Sequence, residues 1–167
     1  MTSNEHELIL KLVTESLPKD EFLAKFRESE DGSHLAGILL DEAIESRESE
    51  DVEYALMVGF TFGFCPDQLN RLVVILSKDW HHKHEDVVTA LGQLAHRDAI
   101  EALYQATQWI PDYLDFDESR ALGVKAIWAL GRIEGHEAEK ALTRLGEANV
   151  PILSDEANRQ ITRRTAS

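Results

Sequence analysis

The sequence predicts an all-α fold, a right-handed α-solenoid of short helical hairpin repeats in a single domain spanning residues 1–167. Three observations predict it. Apolar residues recur at spacings of three and four along most of the chain, the period of a helix with one buried face. The stretch ALGQLAHRDAIEAL (90–103) returns 39 residues later as ALGRIEGHEAEKAL (129–142). A weaker copy, GFTFGFCPDQLNRL (59–72), lies 31 residues earlier, with Phe60 in the place of Leu91, Asp67 of Asp98, Leu69 of Ile100 and Leu72 of Leu103. Helix pairs this short cannot bury their apolar faces alone, so successive pairs must stack.

Taken in order, residues 4–16 read as a first helix, with Asn4 and Glu7 as a capping box and Leu8, Ile9, Leu12 and Val13 inward. Pro18 punctuates, and a short helix over 21–27 turns Phe22, Leu23 and Phe26 to the core. Gly32-Ser33 opens a helix over 34–46 with Leu35, Ile38, Leu39, Ala43 and Ile44 inside. Ser49 caps a helix over 50–62. Pro66 suits a first helical position, and Leu69, Leu72, Val73 and Leu76 carry that helix inward to Lys78.

The central unit follows, with helices over 85–95 and 98–108 expected to form one antiparallel pair, Asp98 capping the second. Its Val87, Val88, Leu91 and Leu94 make one stripe. Ile100 and Leu103 make the next, beside the small residues Ala99, Ala102 and Ala106. The spacing of 39 rather than 31 leaves about eight extra residues, and these fall in WIPDYLDFDES (109–119), read as a protruding loop with a turn of helix. Helices resume over 120–133 and 137–146. Clear repeats thus cover about 50–146. Pro151 ends that pair, and 147–167 is either a C-terminal helix capped by Ser154 or a partly disordered tail.

The ALGxL…D/E-A-x-x-AL pattern, on Ala90–Leu103 and Ala129–Leu142, resembles HEAT repeats, in particular the short HEAT-like repeat of phycobilin lyases. The blocks DWHHKHEDVV…ALGQL…RDAIEALY and Tyr113…ALGVKAIWALGRI are also similar to small bacterial HEAT-repeat immunity proteins. That resemblance implies a non-enzymatic, protein-binding module that captures and neutralises a cognate toxin in the cytoplasm. The repeat's namesake family implies the alternative, a lyase or chaperone for bilins or another HEAT-like enzyme. A general scaffold is the plainest version.

Composition bounds the partners. Lys and Arg total 17 against 31 Asp and Glu, a net charge of −14. Such a surface repels nucleic-acid backbones and anionic membranes and favours a basic protein partner, such as a basic toxin domain. Ten of the acids lie between Glu28 and Glu53, where the one base is Arg47. The single cysteine, Cys65, excludes an internal disulfide, fits a reducing compartment and reads as a packed thiol. No secretion signal is legible at MTSNEHELIL, and the longest uncharged run, Ala55 to Pro66, is too short to cross a bilayer. Together these point to a cytoplasmic chain, monomeric when free.

Two clusters are candidate sites. His81, His82 and His84 stand beside Glu85 in WHHKHE, where His81, His84 and Glu85 would share a helical face at metal-ligand spacing. The repeat KHEDVVTALGQL looks like those of the HEAT-like deoxyhypusine hydroxylase, whose His-Glu pairs hold iron. The matching positions here are Gly123-Val124 and Glu53-Tyr54, so the ligand set is short, and no metal or other cofactor is expected. The plainer reading has these histidines capping a helix or lining its edge. The second cluster is the aromatic-acidic loop: Trp109, Tyr113 and Phe116 beside Asp112, Asp115, Asp117 and Glu118. Rings with flanking carboxylates suit a partner presenting Lys or Arg. The same rings could equally fold back onto the helices. Trp80 and Trp128 are expected in the core, and no catalytic residue is assigned.

Overall fold

Ten α-helices and three single-turn 3-10 segments build the computed structural model, which describes residues 1–166 and has no β-strand among them. The helices are α1 (Ser3–Val13), α2 (Lys19–Lys25), α3 (Gly32–Ser46), α4 (Ser49–Phe62), α5 (Leu69–Leu76), α6 (His84–Leu94), α7 (Ile100–Gln108), α8 (Ala121–Arg132), α9 (His136–Gly146) and α10 (Pro151–Thr165).

Several caps differ from the sequence reading. The first helix begins earlier, with Thr2 and Glu5 forming the capping box in place of Asn4 and Glu7. Asp31 caps α3 through the backbone N–H groups of Ser33 and His34. Ser49 lies inside α4, whose N-cap is Glu48. Asp98 is not a cap: His96 accepts from the Asp98 backbone N–H through Nδ1, and its 3-10 turn leads into α7. Pro151 starts α10 rather than ending the pair before it, because its ring fixes φ at a helical value where no N–H is needed. Residues 151–165 are helical and bury Leu153, Glu156, Ala157 and Gln160 against α8 and α9.

The helices contact one another in two series. Helices α4, α6, α8 and α10 touch in turn, as do α3, α5, α7 and α9. Between the series, the close pairs are α3–α4, α5–α6, α7–α8 and α9–α10. This pairing is offset by one helix from the sequence reading: α6 and α7 share few close backbone approaches, and α7 lies against α8 instead. Gly123 on α8 instead makes room for α10, since a Cβ there would sit 2.9 Å from Leu153 Cδ2, whereas Thr107 Cα on α7 would be at an ordinary 3.7 Å.

The repeated ALG triplet is the stacking device. Leu91 and Leu130 are fully buried, as are Leu103 and Leu142 at the second matched position. Gly92 faces the next helix of its series, where an added Cβ would lie 3.1 Å from Ala129 Cβ and 3.3 Å from Ala129 Cα. Its counterpart Gly131 leaves room for the Gln160 side chain of α10, whose Oε1 would lie 2.5 Å from an added Cβ. Half-exposed ion pairs follow the same step: Glu53 meets Lys83 at 2.8 Å, and Glu85 meets Lys125 at 2.7 Å. Each contributes little stability on its own.

The weak copy needs correction by one residue. Phe60, expected to replace buried Leu91, is 38 % exposed, and Gly59 occupies the inward place instead. The Phe64 ring fills the space a Gly59 side chain would need, with Cε1 2.2 Å from the missing Cβ. Val13 and Ile38, read as inward, are exposed at their helix edges. Trp128 is likewise on the surface, 48 % exposed, while its indole N–H donates to Glu156 at 2.7 Å. Burial pushes the Glu156 carboxyl up, but hydrogen bonds from Gln160 and Trp128 outweigh it and hold the group below the usual range.

Replacing Gly92 with Val should force α6 from α8, since Ala129's backbone cannot yield. Overpacking of this kind costs about 1–3 kcal/mol. Urea denaturation should show a lower midpoint with an unchanged slope, whereas Thr89→Val on the exposed side of α6 should leave the midpoint in place.

Candidate functional site

The candidate site is built where α5 ends. The last carbonyls of any helix lack intrahelical donors, and here the Ile75 carbonyl takes the Lys78 backbone N–H at 2.9 Å. The chain then turns through Trp80 and His81 into α6, and two buried histidines return to donate further to Ile75 and to Lys78, two residues past the helix. His81 Nε2 lies 2.8 Å from the Ile75 carbonyl, and its Nδ1 accepts from the Lys83 backbone N–H at 3.1 Å. His84 Nε2 lies 2.6 Å from the Lys78 carbonyl. Carbonyl oxygens only accept, so both rings carry their proton on Nε2. Both side chains are fully buried, and the rings stack at 4.1 Å.

That tautomer leaves Nδ1 of His84 as an acceptor, and Tyr113 supplies the donor. Its hydroxyl lies 3.0 Å away, although it comes from the insertion 29 positions along the chain. Trp109 sets its ring edge-on to His84 at 4.8 Å, and Tyr113 is flanked by His82 at 4.6 Å. Burial is the main cause that lowers His84 to about 4, with the neighbouring His81 adding to it. Burial also lowers His81 and raises the Tyr113 phenol. The cluster is therefore neutral at pH 7, and every buried side-chain nitrogen and oxygen among the described residues has a partner.

The rest of the insertion is pinned from both ends. Pro111 is buried, and a 3-10 turn over Asp112–Leu114 presents Tyr113 inward. The Asp117 carboxylate accepts from the backbone N–H groups of Ser119 at 3.0 Å and Ala121 at 2.7 Å, and from the Ser119 hydroxyl. Hydrogen bonds from Ser119 and Ala121 hold this acid below its usual range. Arg120 takes a left-handed conformation, φ 53°, and its guanidinium reaches the Thr107 carbonyl at 2.9 Å. Phe116 caps the result at 83 % exposure, with Asp112, Asp115 and Glu118 exposed around the turn.

The sequence-predicted residues thus divide. His81 and His84 are corrected from a partner-facing role to an internal one, because their ring nitrogens and faces are consumed by the fold. Tyr113 and Trp109 are half-buried supports, and Asp117 is taken up in closing the loop. Phe116, Asp112, Asp115, Glu118 and His82 stay at the surface. No group of three or more His, Cys, Asp or Glu among the described residues is placed to hold a metal ion. Cys65 is half-buried, its sulfur 2.7 Å from the Ser33 hydroxyl. No known protein family, curated protein or solved structure matches this chain.

The sequence reading missed the link between its two clusters. A tyrosine in an insertion and a histidine at the start of a repeat carry no mutual signal in one dimension.

Two outcomes follow from the clasp. The folded pKa of His84 lies below its unfolded value of 6.5, so the unfolded chain binds more protons between about pH 6.5 and about 4. Stability should hold above pH 6.5 and fall as pH drops through that window. Urea midpoints at pH 7.5 and 5.5, above the carboxylate range, should separate for the native chain, and the gap should narrow for His84→Gln, the remainder coming from His81. Tyr113→Phe strands the Nδ1 acceptor and should cost about 1–2 kcal/mol in the same assay.

Proposed function

We propose that this protein is a non-enzymatic protein-binding module on a right-handed solenoid of HEAT-like hairpins, acting as the cytoplasmic immunity partner of a basic toxin. One observation carries the reading. Phe116, a large apolar ring, stands almost wholly in solvent on a loop whose backbone and flanking side chains are tied down. An exposed ring has no folding benefit, and a pre-ordered one loses little entropy when a partner covers it.

Support for the solenoid comes from the two series of helices and from the matched glycines Gly92 and Gly131, which face the next helix at the α6–α8 and α8–α10 steps. Support for a basic partner comes from the net charge of −14 and from the carboxylates flanking Phe116. Part of the acidic stretch at 28–53 is consumed internally. Asp41 pairs with Arg71 at 2.7 Å, Glu42 with Arg27 at 2.5 Å, and Asp51 is buried beside the Ser46 hydroxyl. Glu28, Glu30, Glu45, Glu48 and Glu50 are exposed and extend the negative field. Long-range attraction of this kind raises association rates, whereas the buried aromatic anchor slows dissociation. No described helix is long and apolar enough to cross a membrane.

Co-expression with the product of the neighbouring reading frame should rescue cells from growth arrest and yield a complex. Phe116→Ala should weaken that complex by about 30-fold or more, through faster dissociation, while leaving the urea midpoint unchanged. Asp115→Lys with Glu118→Lys should slow association instead and flatten its salt dependence. Absence of both rescue and complex overturns the immunity reading.

A further inference from the structure

A second apolar feature lies apart from Phe116. Helices α5 and α7 are neighbours in one series, yet they touch only sparsely. Between them runs an open groove of about 560 Å³, walled by Val73, Val74 and Leu76 on one side and Ala102, Ala106 and Trp109 on the other. On the α7 side, Ala102, Gln105, Ala106 and Trp109 follow the spacing of one helical stripe. The groove therefore runs along the helix for two turns, about 10 Å. Small alanines make it deep, and no charged side chain lines it. Val74 is 39 % exposed there, on the helix whose C-terminal end the histidines hold.

The α7 side of this apolar floor belongs to an acidic stretch of the chain. From Arg97 to Ser119 the α7 segment and the insertion carry six carboxylates and one base, Arg97 itself. Arg97 is already paired with Glu137 on α9 at 3.1 Å. Gln105, a lining residue, donates to Glu101 at 2.8 Å and so holds that carboxylate at the rim. On the α5 side, Arg71 is paired with Asp41, and Lys78 follows the lining residue Ser77 in the chain.

We propose that this groove receives an amphipathic helix of a partner protein, with leucine-like side chains seated between α5 and α7 and Lys or Arg meeting the α7-side carboxylates. A channel between two helices fits a third helix by the ridge-and-groove packing that joins the others. A compact apolar ligand would use the floor and leave the carboxylates idle. Trp109 belongs to both features: it lines the groove and begins the insertion that carries Phe116. The inference rests on the protein-binding reading and adds a second contact to it, made with a different part of the partner.

The test uses the full chain and a synthetic amphipathic peptide of Leu and Lys in helical period, with an isomer of the same composition in alternating period as control. Methyl and indole NMR shifts on the native protein should move at Val73, Val74, Leu76, Ala102, Ala106 and Trp109 with the helical peptide alone. Ala106→Trp, which fills the groove, should weaken binding by about tenfold or more in fluorescence anisotropy, and Phe116→Ala should leave it unchanged. Equal binding of both peptides, shifts mapping elsewhere, or uptake of an uncharged apolar dye in the groove without peptide binding would each overturn the proposal. A complex with the neighbouring gene product that ignores Ala106→Trp would remove the groove and keep the module. Peptide seating without any such complex would do the reverse.

Discussion

Helices of seven to fifteen residues with a single apolar stripe can bury it only against other helices, and every later feature depends on that constraint. Close approach is set by the smallest residues on each face. At Gly92 the backbone of α6 comes against Ala129 on α8, and at Gly131 the backbone of α8 makes room for the Gln160 side chain of α10. Leu91, Leu103, Leu130 and Leu142 then fill the space between the two series. Stacking of this kind also lays the connection from α5 to α6 against the core, where its carbonyls need donors.

The histidine clasp answers that second demand. Two imidazoles, fixed as neutral tautomers, close the end of α5, and the Tyr113 hydroxyl completes the set. A structural need at one helix terminus thereby fixes the position of an insertion from a later repeat. Burial, which lowers the affinity of both imidazoles for protons, keeps the arrangement uncharged. Rigidity passes from the core to the loop through that single hydroxyl, together with Asp117 and Arg120 at the loop's far end.

The proposed partner would use what this support leaves exposed. Phe116 on its braced turn, the separate apolar groove between α5 and α7 and the excess of carboxylates would give it three complementary kinds of contact. Ring and groove would supply desolvation, and the carboxylates steering and register. The ring nitrogens of His81 and His84 are engaged by backbone and phenol, so neither ring offers an open ligand position.

By itself the sequence determined the helical character, the approximate repeat and the positions of most core residues, because period and composition act locally and recur at matching offsets. Leu91 and Leu130 could be equated from the chain alone, as could the placement of the extra residues at 109–119. Only the tertiary structure decided which helices become close partners, where Phe60 and Gly59 divide exposure, and that α10 packs along α8 and α9. It also decided that His81 and His84 face carbonyls rather than a partner. The physical reason is the same in each case: a one-residue register, a neighbour across the stack or a hydrogen bond between residues 29 apart depends on three-dimensional proximity, and a linear pattern of apolar and charged residues does not encode it.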